Sequence, residues 1–105
     1  MGNFNFNKVL SYEAQVIKKG FEVTQKTFYP EPHDYRGIVS RFEFNNELIG
    51  GAVDWTSLGF VEFYSVSYQT GEFVINKMFF DDEVEAANEF IDYFFNEILN
   101  FDKYA

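Results

Sequence analysis

Eight carboxylates stand between residues 81 and 102 (Asp81, Asp82, Glu83, Glu85, Glu89, Asp92, Glu97 and Asp102), with no Lys or Arg among them. Such groups can cap a helix, hold a cation, exchange protons or attract a basic partner, and their spacing separates these roles. A calcium loop needs alternating oxygen ligands and an obligatory glycine, which residues 81–83 lack. No spacing singles out a carboxylate pair for acid–base work. Asp82, Glu85, Glu89 and Asp92 instead recur at intervals of three and four, which places them on one face of a helix. The expected site is therefore a surface: Glu85, Glu89, Asp92 and Asp82 presented to a basic groove on another protein, with Tyr93 or Phe90 as an aromatic anchor. The same acids also fit the solvated side of an ordinary amphipathic helix.

The remaining candidates are weaker. His33 is the single histidine, and with Glu31 and Asp34 it shares a proline-bounded loop, whereas a dedicated metal site takes three or four ligands from a rigid scaffold. No serine sits in a glycine-flanked elbow. Gly50-Gly51 runs into Ala-Val-Asp-Trp, without the continuation of a phosphate loop. Cysteine is absent, which removes disulfides, thiolate ligands and a thiol nucleophile. No catalytic residue, metal or cofactor is expected, and the chain does not read as an enzyme.

Charge is polarised along the 105 residues. Residues 1–41 carry six bases against four acids and residues 42–105 two bases against thirteen acids, for a net charge of −9. Direct nucleic-acid or anionic-membrane binding needs a concentrated basic patch, and Lys18, Lys19, Lys26, Arg36 and Arg41 are too interspersed with acids to form one. No segment approaches the ~18 apolar residues of a membrane span. The opening residues lack the apolar run of a secretory signal, so a cytoplasmic location is expected. Aromatics make up 22 % of the chain, with fifteen Phe, the composition of a folding chain. Its length suits one domain over residues 1–105.

The elements that must position these residues follow from periodicity. Residues 7–19 draw as a helix with Phe6, Leu10, Ala14 and Ile17 on one face, Lys18 and Lys19 in its last turn, Gly20 in the left-handed position and Phe21 folded back towards Val16. Alternation of Tyr12, Ala14 and Val16 fits a strand as well. From residue 21 to 80 the period is two. Strands are expected at 21–29, 38–44, 47–55, 60–68 and 73–80, with hairpins at Asn45-Asn46, a pair that tolerates positive φ, and at Gln69-Thr70-Gly71. Gly50-Gly51 suggests a bulge or a close packing contact. Asp82 and Glu85 have capping-box separation, opening a helix whose stripe is Val84, Ala87, Ile91, Phe94, Phe95 and Ile98. Strands 60–68 and 73–80 carry apolar residues on both faces, so the sheet needs cover on both, from the N-terminal helix, a second subunit, a partner or a ligand.

The predicted fold class is α+β: an antiparallel sheet of about five strands packed against a C-terminal acidic amphipathic helix, with an N-terminal helix as well. In small size, acidity and aromatic richness the chain resembles bacterial immunity proteins that neutralise nuclease toxins, or phage-borne inhibitors of defence enzymes, and that compositional resemblance implies an inhibitor of a basic, nucleic-acid-processing enzyme. The alternatives are a homodimeric interaction module that buries its second aromatic sheet face, and a small ligand-binding domain with a cleft around Trp55 and Gly50-Gly51.

Overall fold

The computed structural model describes residues 4–29 and 37–101. Glu31, His33, Asp34 and Asp102 lie outside the described residues. Two short helices, α1 (Phe6–Leu10) and α2 (Glu13–Lys18), precede β1 (Glu22–Phe28), β2 (Val39–Asn45), β3 (Ile49–Thr56), β4 (Phe60–Ser67) and β5 (Phe73–Phe80). A 3₁₀ turn at Asp81–Glu83 then leads into α3 (Val84–Leu99). The five strands form one antiparallel meander in chain order, so β1 and β5 are its edges.

Period-two alternation sends one set of side chains under α3. Phe42 pairs with Val53 and Val53 with Phe63, and these rows carry Phe44, Ile49, Trp55, Val61 and Phe79 onto the same face. The helix answers with Ala87, Ile91, Phe94, Phe95 and Ile98, all buried, and half-buried Val84, as its apolar spacing predicts. The seam is built from rings. Phe94 lies 5.3 Å from Phe63 and 5.8 Å from Phe44, and Phe95 meets Phe42 edge-on at 5.6 Å, arrangements that favour the ring quadrupoles.

The N-terminal helix forms in two pieces, not one. The Ser11 hydroxyl donates to the Lys8 carbonyl at 2.5 Å, the same acceptor that a continuing helix would offer to the Tyr12 amide. That amide turns to the Val9 carbonyl instead. The break rotates α2 so that Val9 and Val16 are buried while Ala14 and Ile17, expected on the apolar face, are exposed. The end of α2 is as predicted: Gly20 has φ 95°, its amide donates to Ile17 O, and the Phe21 amide donates to Val16 O.

Three further local expectations are corrected. The β2–β3 turn uses no positive φ at Asn45 or Asn46; the Asn46 side-chain oxygen accepts from the Leu48 and Ile49 amides at 2.8 and 2.9 Å. Gly50 and Gly51 lie in unbroken register with both neighbours, and the register shift falls at Ser65/Val66. Close approach requires glycine at position 51, where a Cβ would overlap the Tyr64 backbone, while one on Gly50 would displace the hydroxyl end of the exposed Tyr68 side chain. Finally, the acid that reaches back to cap the C-terminal helical segment is Glu83, accepting from the Phe80 amide at 3.1 Å, not Glu85. The β4–β5 turn does take Gly71 at φ 73°, as expected.

Both helical layers sit on the same side of the sheet. Phe4 packs on Phe63 at 6.2 Å and Tyr12 stacks on Phe95 at 4.4 Å, so the N-terminal segment extends the α3 layer and does not cover the opposite face. Within this shared core the Ser65 hydroxyl, beside Gly51 across the β3–β4 pair, is buried with no hydrogen-bond partner among the described residues. Ser65→Ala is expected to raise stability by about 1 kcal/mol, because the desolvation cost of the hydroxyl disappears. A lower thermal midpoint for the variant would show that the hydroxyl is satisfied in solution.

Candidate protein-binding surface on α3

At about 100° per residue, the buried arc of α3 leaves two flanks and a crest. One flank is taken by the N-terminal segment. The Asn5 amide donates to Asn88 Oδ1 at 2.7 Å, Lys8 Nζ lies 2.9 Å from Asp92 Oδ2, and the Tyr12 hydroxyl donates to Asp92 Oδ1. Asp92 is therefore neutralised within the molecule, which removes it from the set expected to face a partner. Sequence spacing alone could not reveal this, because Lys8 and Asp92 lie 84 positions apart.

The other acids behave differently. Glu85, Glu89 and Asp82 are exposed, and among the described residues none of them forms an ion pair. Tyr93 is 53 % exposed and touches only the edge of the aromatic core, with its ring 5.2 Å from Phe90. Glu97, exposed and likewise unpaired among the described residues, takes the place that Asp92 vacates. Glu85, Glu89, Tyr93 and Glu97 follow one another at intervals of four, making a ridge with steps of about 6 Å along the axis. The expected set already holds Glu85, Glu89 and Tyr93; Glu97 is the one it omits, although the four-residue step from Tyr93 to Glu97 is present in the sequence. Like charges four residues apart cost a helix a few tenths of a kcal/mol, and no base in the described part of the molecule offsets that cost.

No protein-family model, curated protein or solved structure matches this chain. The surface must be read from its own chemistry. Among the described residues no group of three His, Cys, Asp or Glu side chains is placed to hold a metal ion, and no helix is long and apolar enough to cross a membrane. Beside Trp55 stand Phe4 and Phe6, 6.0 and 5.6 Å from the indole, and the Tyr68 hydroxyl lies against Gly50.

A second charged cluster occupies the sheet face away from α3. Arg41 grips Asp54 through two bonds of 2.7 and 2.8 Å, Glu43 stands 3.6 Å from Arg41 and 3.7 Å from Lys26, and the guanidinium lies 5.0 Å from the Phe28 ring. The hydrogen bonds to Asp54 push the Arg41 pKa further up, and burial raises that of nearby Tyr64. These opposite charges satisfy one another, unlike the acids of the α3 ridge.

The Asp92 clasp carries a pH signature. The Tyr12 hydroxyl, and then Lys8, hold the Asp92 carboxyl below its ordinary value, while burial and the bond to Asp92 push Tyr12 up to about 12. A lowered acid stabilises the fold above its unfolded pKa and loses that contribution as pH falls through the folded value. A raised phenol contributes below its unfolded value near 10 and loses it as pH rises towards 12. The clasp is thus intact between about pH 4 and pH 10. Tyr12→Phe should flatten the fall in stability below pH 4, read from urea midpoints at pH 2.5 to 6; equal slopes in both proteins would contradict the assignment.

Proposed function

We propose that this protein is a small acidic inhibitor that acts by binding a basic, nucleic-acid-processing enzyme over its phosphate-binding surface, without catalysis of its own. The reading rests on one observation: Glu85, Glu89 and Glu97 stand exposed in line with Tyr93 and form no ion pair among the described residues, although Glu85 and Glu89 repel one another across one helical turn. Exposed acids raise association rates by steering, and an aromatic among them supplies contact area that water-exposed charge does not. Steering by charge weakens as salt rises.

The test is retention of purified nucleases and other basic nucleic-acid enzymes on the immobilised protein at increasing ionic strength, together with inhibition assays. Reversing Glu85, Glu89 and Glu97 together to Lys is expected to weaken binding by about 10- to 100-fold, mostly in the association rate, while Asp92→Asn changes it little. Retention that survives the triple reversal, or that does not depend on salt, would refute the role of the ridge.

A further inference from the structure

Edge strands expose a row of backbone donors and acceptors, and proteins usually protect them with charge. The two edges of this sheet differ. β1 presents Glu22, Thr24, Gln25, Lys26 and Thr27, all exposed and polar. Among the described residues β5 pairs with β4 alone; it exposes Phe73 (59 %), Val74 and Phe80 (54 %), and has Lys77 as its one charge. It is also the only one of the five strands without a carboxylate.

The acidic segment that opens α3 follows directly from the end of this edge, at Asp81–Glu83. With Asn88 and Asp92 turned to the N-terminal segment, helix geometry puts Phe90 and Glu97 on the opposite flank of α3, and Phe90 lies over β5. Phe90 is 5.4 Å from Phe79 of β5 and 5.2 Å from Tyr93, so it joins strand and ridge. After a three-residue turn α3 runs back over the sheet, from Phe90 at Phe79 of β5 to Phe94 and Phe95 at Phe44 and Phe42 of β2. A strand added beside β5 would have one row of side chains on the α3 side, where Lys77 and Phe79 stand below the Phe90–Tyr93 flank, and the other facing Met78 and Phe80 on the far side of the sheet.

We propose that β5 is a strand-addition site whose occupant is an extended segment of the basic partner, with cationic and apolar residues in alternation. Main-chain bonds to β5 supply affinity and the two differently lined sides set the register. The proposal rests on the reading of the ridge as a partner surface and assigns the backbone half of the contact. A second copy of this chain is the poorer occupant: each copy carries −9, and antiparallel pairing of two β5 strands would bring two α3 acid flanks together.

The probe is a nine-residue peptide alternating Lys and Val, compared with the same sequence methylated at every backbone nitrogen, which keeps its charge and removes its donors. Binding of the first peptide, weakened at least about tenfold by methylation, with slowed hydrogen exchange at alternate amides of Phe73–Phe80 and a further loss on Glu97→Lys, is the expected result. Equal binding of both peptides, or perturbation confined to α3, would overturn strand addition while leaving an acidic partner surface in place. No binding of either peptide also overturns it, and the enzyme-retention experiment then judges the ridge separately. A dimer in sedimentation velocity with β5 amides already protected would give the edge to a second copy and overturn the proposal in that direction.

Discussion

Phe63→Ala is expected to lower the stability of the protein by about 4 kcal/mol, the usual cost of emptying a fully buried phenylalanine site. Phe63 is the central ring of the core: Phe90, Phe94, Phe79 and Phe4 lie at 5.0, 5.3, 5.9 and 6.2 Å from it. These neighbours come from α3, β5 and the N-terminal segment, so no single element can shift to fill the void. Against the 5–15 kcal/mol typical of a domain, the loss leaves little margin, and the thermal midpoint should fall by more than about 15 °C. Phe63→Leu keeps most of the volume and should cost under about 1.5 kcal/mol. Urea midpoints for the two variants make the comparison. A loss below about 2 kcal/mol for the alanine variant would show that α3 is not clamped across β4 and β5 as described.

Arg41→Met is expected to cost about 3 kcal/mol, since it removes the bidentate partner of a carboxylate that is buried on the sheet. The side chains of Arg41 and Asp54 are 17 % and 1 % exposed, so solvent cannot replace the lost bonds. Asp54 has further interactions, which limit the cost but do not match two charge-assisted bonds. The double variant Arg41→Met with Asp54→Leu should be more stable than Arg41→Met alone, because no buried charge is left behind. If the double variant is less stable by the full sum of the two single losses, the pair is not coupled and the assignment fails.

Much of the architecture is legible in the residue pattern. Apolar residues of α3 at positions 84, 87, 91, 94, 95 and 98 define its buried stripe because helical geometry converts spacing directly into direction. The Lys18-Lys19-Gly20 ending and the Gly71 turn follow from local backbone preference, which needs no distant contact. The expectations that failed are those set by competition or distance. Residues 7–19 break at Ser11-Tyr12, where the Ser11 hydroxyl bonds the Lys8 carbonyl and the Tyr12 amide bonds that of Val9, a choice among near-equal local bonds. Gly50-Gly51 resembles a bulge in one dimension, yet it is the room left for Tyr68 and for the backbone of β4.

The candidate site divides along the same line. The chain alone determines that α3 is acidic, that its acids sit away from the core, and that Tyr93 stands near them, since helix periodicity and the absence of nearby bases are local facts. Only the tertiary structure decides which acids remain free, because an ion pair depends on where a cation 84 residues away is brought. Docking of the N-terminal segment consumes Asp92, leaves Glu97 in its place, and turns the Phe90 flank of α3 towards β5. Those outcomes arise from packing of whole elements, whose free energies are sums over many contacts and are not encoded at any one position.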